Sequence, residues 1–283
     1  SQAAHRGVAE SEGAQDAELL LFTDADTWYE PGALRAGVAL LNHRHLDLLS
    51  LLPTLTRGRW FERVVQPVAG FELVRRYPLD RLGRGKRIRF ANGQFMLFKR
   101  DAYERVGGHE AVRHALLEDL AFAKMFAARR FRTKHAVLMS GGLFHCRMYA
   151  GWADFRKGWK RIYTESAPRE IARLRAGARR VRFVSGVLPL LMLATLLAAP
   201  LVLALSEARA LAIGLGVSGL AGAGAFALAS GLILRTQGLP VRLVPVLPIG
   251  AWLTGSILAE AAGDLEAGRK TEWGGRSYAR EAR

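Results

Sequence analysis

The first half of the chain alternates short apolar runs with segments of helical periodicity. The apolar runs predict buried or extended strands at residues 18–23, 46–52, 90–98 and 133–139. The periodic segments predict helices at residues 31–41, 62–76, 100–106 and 116–128. Strands that alternate with helices are typical of the layered α/β class, so we expect an α/β domain with a mostly parallel sheet.

The last hundred residues contain three apolar segments. Residues 183–205 and 210–234 carry no charge over 23 and 25 residues, more than the roughly 20 needed to cross a hydrocarbon core. We expect them to form a transmembrane hairpin, in which the glycines of the second helix allow close contact. The third segment, residues 243–259, is shorter and contains Pro245 and Pro248 near its start.

The basic residues that flank these segments predict the topology. They favour the cytoplasmic side, and a third span would carry the basic tail to the opposite side. We therefore expect the third segment to be re-entrant or interfacial. The chain is expected to be a multi-pass protein of the inner (cytoplasmic) membrane, with its first part in the cytoplasm.

The charge of the chain is strongly positive and unevenly spread. The net charge is +16, and residues 147–182 contain 11 basic and 3 acidic residues just before the first apolar segment. Such a segment is attracted to anionic lipid by about 1 kcal/mol per basic residue near the surface. The single cysteine, Cys146, excludes an intrachain disulfide framework. The predicted regions are residues 1–146, a basic interface segment 147–182, a membrane region 183–262 and a basic tail 263–283.

Two carboxylates follow the first predicted strand. Asp24 and Asp26 stand at its carboxyl end, where ligands bind in open α/β sheets. Two carboxylates one residue apart can hold a hard divalent cation, which in turn can bind a diphosphate. An Asp at a strand end also caps a following helix, so the motif alone leaves both interpretations open.

Further polar residues interrupt apolar stretches. Glu118 and Asp119 open a predicted helix, either as a favourable negative first turn or as a general base. Residues 92–94 (Asn-Gly-Gln) break a predicted strand, either as a bulge or as a wall facing a substrate. His145 is a candidate third metal ligand or a structural histidine, and Arg147 either neutralises phosphate or belongs to the basic membrane-facing belt.

Several motifs occur together and in a fixed order. They are FTDADT at 22–27, ANGQFM at 91–96, YERVGGH at 103–109, LED at 117–119, RMY at 147–149, GW at 158–159 and WGGRSY at 273–278. With these motifs the chain resembles membrane-associated family 2 glycosyltransferases of the GT-A fold. Within them it is most similar to bacterial enzymes linked to carotenoid acids (the diaponeurosporenoate type) and to hopanoid loci.

The resemblance implies a reaction and a donor site. Asp24 and Asp26 are expected to hold Mg²⁺ or Mn²⁺ together with the diphosphate of a nucleotide-sugar donor, UDP-linked by analogy. The residues themselves add Arg147 as a candidate donor contact and His145 as a candidate further metal ligand. Asp119 is implied as the catalytic base, with Glu118 beside it. The expected reaction is inverting transfer of a single sugar to a membrane lipid or isoprenoid. The residues implied at the acceptor are Asn92, Gly93, Gln94 and Trp159.

The sequence also departs from this family. Only 18 residues precede the strand that leads to Asp24, and a βαβ unit takes roughly 30. We therefore expect the nucleotide-binding N-terminal half of such an enzyme to be missing from this sequence. The Gln-x-x-Arg-Trp motif of processive synthases is also absent, which favours transfer of one sugar over polymer synthesis.

Two other classes of function remain open from the residues alone. The first is a membrane-anchored basic module that binds anionic lipid or nucleic acid, with the carboxylates serving only as caps. Nucleic acid is not expected as a partner if the enzymatic interpretation holds. The second is a small transporter subunit, which is the least favoured because neither long apolar segment contains an ionisable residue.

Overall fold

The computed structural model describes residues 2–77, 89–115, 117–273, 276–278 and 282. Its strands are β1 (Leu19–Phe22), β2 (Thr27–Tyr29), β3 (Leu48–Leu52), β4 (Thr54–Leu55), β5 (Met96–Lys99), β6 (His135–Met139), β7 (Phe144–Cys146), β8 (Thr271–Trp273) and β9 (Arg276–Tyr278). Its helices are α1 (Gln2–Glu10), α2 (Glu12–Gln15), α3 (Ala33–His43), α4 (Trp60–Val64), α5 (Gln66–Arg76), α6 (Arg100–Arg105), α7 (Gly108–Ala111), α8 (Glu118–Ala127), α9 (Trp152–Ser166), α10 (Ile171–Arg182), α11 (Leu188–Leu205), α12 (Arg209–Thr236) and α13 (Leu247–Glu266).

The main sheet has four strands in the order β1-β5-β3-β6. Strand β5 runs antiparallel to both β1 and β3, whereas β3 and β6 are parallel. The expectation of a mostly parallel sheet is therefore corrected to a mixed sheet within the α/β class. The apolar pattern of a strand reads the same in either direction, so it could not reveal that β5 enters the sheet in the reverse sense.

Each face of this sheet is covered by its own core. Neighbouring residues of a strand point to opposite faces, so Leu48 and Leu49 pack into different clusters. The first cluster joins the sheet to α6 and α8 through Tyr103 and Phe122, and the second joins it to α3 through Leu41. These two cores fix the sheet between helical layers.

Several predicted boundaries shift in the structure. The helix expected over residues 62–76 is two helices, α4 and α5, and Pro67 lies in the first turn of the second, a position that favours proline. The strand expected over residues 90–98 begins only at Met96, because residues 92–95 form a turn before it. The helix expected from Leu116 begins at Glu118, and Leu116 itself lies outside the described residues.

Two smaller sheets complete the strand pairing. In the order β2-β7-β4, strand β7 pairs antiparallel with β2 and parallel with β4. Strands β8 and β9 form an antiparallel hairpin in the tail that carries the WGGRSY motif. The two glycines of that motif, Gly274 and Gly275, lie outside the described residues.

The chain forms two compact units that interleave in sequence. The first contains residues 1–56 and 74–148, and the second contains residues 57–73 and 149–283. The second unit therefore takes in α4 and most of α5 along with the basic and apolar helices. The regions predicted from composition placed residues 57–73 in the first region, which ends at residue 146, whereas the structure assigns them to the second unit.

Within the described part of the chain, three helices are long and apolar enough to cross a membrane, and all three belong to the second unit. The helical stretches are Ile171–Leu205, Arg209–Thr236 and Val241–Glu266. The first joins α10 to α11 through a π-helical turn, Phe183–Val187. Helices α11 and α12 pack against each other at glycines: a side chain on Gly219 would meet the backbone of Leu196, and one on Gly222 would meet Met192. Their outer leucines are exposed, as a lipid-facing hairpin requires.

The third apolar segment is a continuous helix. Pro245 lies in a 3₁₀ turn, Val241–Val246, before α13, and Pro248 lies in the first turn of α13, where proline is tolerated, so neither residue breaks the helix. Helix α13 packs antiparallel to the charged helix α10: Arg182 Nη2 donates to Ser256 Oγ at 2.9 Å, and Arg175 pairs with Glu266 at 2.6 Å. Helix α13 therefore contacts α10, which belongs to the basic segment and ends before the apolar stretch of residues 183–205 begins.

Candidate active site

The two carboxylates after β1 lie in an exposed turn. Asp24 and Asp26 are both exposed beyond the carboxyl end of the strand, and Thr27 Oγ1 donates to the carbonyl oxygen of Asp24 at 2.7 Å. The backbone of Arg147 donates to the carbonyl oxygen of Asp26 at 3.2 Å. This turn therefore leads from the main sheet into β2 and lies against the residue that follows β7.

The loop at residues 92–94 is hydrogen-bonded to residues at the carboxyl ends of β1 and β3. The backbone N–H of Asn92 donates to Ser50 Oγ at 2.7 Å, and Asn92 Nδ2 donates to the carbonyl of Leu51 at 3.2 Å. On the other side, the carbonyl of Gln94 accepts from Thr23 Oγ1 at 3.1 Å and from the Tyr29 hydroxyl at 3.2 Å. These hydrogen bonds hold the loop at the edge of the sheet where β1 ends and the turn with Asp24 and Asp26 follows.

Asp119 reaches the same loop from α8. Its Oδ2 accepts the backbone N–H of Gly93 at 3.1 Å, and its Oδ1 accepts that of Leu120 at 2.7 Å. One oxygen therefore stabilises the first turn of the helix, and the other joins the helix to the loop. Asp119 and its half-buried neighbour Glu118 form the acidic first turn of α8.

Cys146 is a member of the site that the sequence analysis did not identify. The thiol is buried, and Gln94 Nε2 donates to its sulfur at 2.9 Å. Burial raises the pKa of Cys146 far above its ordinary value, and the negative charges of Asp26 and Asp24 raise it further. Cys146 therefore stays protonated and lies between Gln94 and the two carboxylates; the only sequence signal was its place between His145 and Arg147.

Tyr77 is a second residue that the sequence analysis missed. Its ring stacks on Phe90, with centroids 4.9 Å apart. Burial raises the pKa of the Tyr77 hydroxyl, Arg76 opposes this rise, and the charge of Asp119 adds to it. The uncharged form of the Tyr77 phenol is therefore favoured.

The surroundings of His145 are an aromatic ring and one carboxylate. Its ring stacks on Trp28 at 5.4 Å, and its Nε2 lies 3.4 Å from a carboxylate oxygen of Glu30. Over the described part of the chain, no three His, Cys, Asp or Glu side chains are grouped to hold a metal ion. The structure therefore does not bring His145 together with both Asp24 and Asp26 as a ligand set.

The other predicted residues lie in different surroundings. The side chain of Arg147 is exposed. Trp159 belongs to α9 of the second unit, where it is buried beside Phe155 and Tyr163, with ring centroids 6.0 and 5.2 Å away. Its neighbour Gly158 leaves room for the ring of Tyr149, which a side chain at residue 158 would strike. The RMY and GW motifs thus meet in a packing contact of the second unit.

The comparisons with known proteins decide the family. The model of the family described as glycosyl transferase family 21 matches residues 11–236, which is most of the chain. The chain belongs to glycosyl transferase family 21. The match spans the candidate site and ends at the last residue of α12, so α13 and the tail lie beyond it. Neither the search of curated proteins nor that of solved structures gave a match.

Membership of this family confirms one expectation and changes another. The prediction of a glycosyltransferase is confirmed at the level of the enzyme class. The family is 21, and the expected family 2 is not the one that matches. The carotenoid-acid and hopanoid subgroups are finer than the match and remain predictions.

Proposed function

We propose that this family 21 glycosyltransferase transfers a single sugar from a nucleotide-sugar donor, with inversion, to a lipid or isoprenoid acceptor at a membrane. The donor is expected to be UDP-linked. Family membership supports sugar transfer in general, and the apolar hairpin of α11 and α12 supports an acceptor drawn from the lipid phase. The positive-inside argument supports a catalytic part on the cytoplasmic side of the inner membrane, and a GT-A type of fold agrees with the mixed α/β unit.

One chain of contacts carries the proposal. Asp119 accepts from the backbone of Gly93, and the carbonyl of the adjacent Gln94 accepts from Thr23, the residue before Asp24. A candidate base and two candidate diphosphate-site carboxylates are thereby connected through one three-residue loop. Motif order along the sequence did not require this proximity, so its presence favours a catalytic role over simple helix caps.

The donor set of this site suits Mg²⁺ or Mn²⁺. Asp24 and Asp26 offer exposed carboxylate oxygens, the ligands that hard divalent cations prefer, and Mg²⁺ keeps water and substrate phosphate in its other positions. Two protein carboxylates are therefore sufficient, and His145 is not needed. A bound ion would supply charge neutralisation for the departing diphosphate.

The residues of the chain then have definite roles in the proposed mechanism. The Asp119 carboxylate accepts the proton of an acceptor hydroxyl or carboxyl group as that oxygen forms a bond to C1 of the sugar. The bond between C1 and the diphosphate oxygen breaks, and the nucleoside diphosphate leaves from the opposite side, which inverts C1. The hydrogen bond from Gly93 fixes the carboxylate. In this proposal Asn92 and Gln94 are the residues that contact the sugar and the acceptor.

Replacement of the base tests this mechanism. In the full-length protein in membranes, Asp119→Asn should lower transfer of radiolabelled sugar to lipid by about 10²–10⁴-fold, because the amide cannot take the proton. Asp101→Asn is the matched control, since Asp101 is an exposed residue of α6 that pairs with Arg105. Transfer by Asp119→Asn at the rate of this control would exclude Asp119 as the base.

Donor binding is measured separately. Calorimetric titration of the purified protein with UDP should show binding that requires Mn²⁺, and Asp24→Asn with Asp26→Asn should abolish it. Asp119→Asn should leave this binding in place. Equal UDP binding with and without Mn²⁺ would contradict the proposed role of the two carboxylates.

A further inference from the structure

A basic cavity lies in the second unit, between α9 and the end of α13. Its volume is about 420 Å³, and it is open on one side. Cationic side chains dominate its lining: Arg156, Lys157, Lys160, Arg161, Arg269 and Lys270. Every one of them comes from the second unit, and the last two follow the end of α13.

The acidic groups at this cavity do not balance the cations. Among the described lining residues the one carboxylate is Asp264, which pairs with Lys160 at 2.7 Å and with Arg269 at 2.8 Å. Arg156 pairs with Glu260 at 2.6 Å. Asp264 and Glu260 thus position three of the cations, while Lys157 and Lys270 project from exposed positions of the same lining.

This arrangement has a physical consequence. Like charges held within a few ångströms repel each other, and an anion between them removes that repulsion and gains charge-assisted hydrogen bonds. A phosphate monoester carries about −1.5 to −2 charges at neutral pH and has three strong acceptor oxygens, which matches several cations better than a single carboxylate does. The volume of the cavity admits such a group and excludes a folded polypeptide segment.

We propose that the cavity between α9 and α13 binds a phosphate group, with Lys157 and Lys270 as contacts and Asp264 as the residue that positions Lys160 and Arg269. Two sources share this chemistry. The phosphate belongs either to a lipid headgroup, since α10 continues directly into the apolar α11, or to a soluble phosphate compound. The proposal does not depend on sugar transfer, because phosphate alone serves as its probe.

The test uses the detergent-purified full chain and calorimetric titration. Inorganic phosphate should bind the wild type with an affinity that falls with added salt. The double variant Lys157→Gln with Lys270→Gln should weaken this binding by about tenfold or more, because two direct ionic contacts are lost. The control is Lys124→Gln with Lys134→Gln, which removes the same charge from exposed positions of the first unit and should change nothing.

Two further titrants distinguish the sources. If dihexanoyl phosphatidic acid binds at least about tenfold more tightly than inorganic phosphate, the ligand is a lipid headgroup. If the two bind alike, the ligand is a soluble phosphate compound, and either result supports the site. Absence of phosphate and phosphatidic acid binding by the wild type, or an equal loss in the variant and the control, would overturn the proposal.

Discussion

The carboxylate of Asp119 accepts two backbone hydrogen bonds, one within its own helix and one from the loop at residues 92–94. Its position is therefore fixed before any substrate binds. An asparagine keeps one acceptor oxygen, so Asp119→Asn should cost only about 1–2 kcal/mol of stability. A much larger loss of transfer than of stability would separate a chemical role from a structural one.

His109 gives the first unit a pH-dependent stability. The ring is buried against Phe22 and Phe122, and its Nδ1 lies 2.8 Å from the hydroxyl of Tyr103. Burial lowers the pKa of His109 from 6.5 to about 4, because the charged ring is poorly solvated there.

The sign of the effect follows from this lowered pKa. Above pH 6.5 the histidine is neutral in both states and stability is complete. As the pH falls from 6.5 to about 4, His109 becomes protonated in the unfolded chain but stays neutral in the folded chain. The free energy of unfolding should therefore fall by about 1–3 kcal/mol. Thermal unfolding of the purified protein between pH 7.5 and 4.5 measures this, with His109→Gln expected to flatten the curve.

The control for this prediction is His43→Gln. His43 is an exposed residue near the end of α3, and its replacement should leave the pH dependence of the wild type unchanged. Parallel curves for the wild type and His109→Gln would show that the buried ring does not govern stability in this range.

At the residue scale, sequence reasoning finds candidate residues where the chemistry is carried by short, local motifs. Asp24, Asp26, Asp119 and the loop at residues 92–94 occur in short motifs, and the structure connects them. Cys146 reaches the loop at residues 92–94 through the pairing of β7 and its contact with Gln94, which no short motif encodes. His145 was a candidate third metal ligand or a structural histidine, and its ring stacks on Trp28 in the structure.

At the scale of elements, the helix hairpin depends on its glycines. A side chain at residue 219 would lie within 3 Å of the Leu196 backbone, whereas nothing lies within 4 Å of a side chain at residue 214. Gly219→Leu should therefore separate α11 from α12 and cost about 1–3 kcal/mol.

Gly214→Leu is the matched control for this substitution and should be tolerated. Resistance to SDS-induced unfolding measures both variants in lipid bicelles. Equal resistance of the two variants would mean that the two helices do not rely on close contact at Gly219.

The topology of α13 is a second prediction at this scale. By length and composition this segment qualifies as a span, yet it forms ion pairs with the charged helices α9 and α10, such as Arg156–Glu260 and Arg175–Glu266. Charged helices are costly in the hydrocarbon core, so we expect α13 to remain on the side where α10 begins.

Cysteine labelling of intact vesicles measures this topology. Ala267→Cys and Thr236→Cys should react from the same side with an impermeant thiol reagent, and Ser206→Cys should react from the other. The buried Cys146 of the wild type gives the background. Labelling of Ala267→Cys together with Ser206→Cys would show that the third segment spans.

The sequence predicted eight elements to within a few residues, because apolar periodicity and proline positions are local signals. These elements are β1, β3, β6, α3, α6, α8, α11 and α12. It could not supply the direction of β5, or the place of residues 57–73, because both depend on contacts between distant parts of the chain. Residues 57–73 join the second unit through long-range contacts, such as the bond from the Tyr163 hydroxyl to the carbonyl of Ala69 at 3.1 Å.

The interleaving of the two units governs how the molecule can be divided. A protein that stops after Met148 would still contain residues 57–73, whose buried side chains Val65 and Val68 would have lost the helices that cover them. We expect such a fragment to aggregate, as dynamic light scattering would show. Water-soluble versions of the first unit therefore need an internal excision as well as a new C-terminus, with a short polar bridge rejoining Thr56 to Val74.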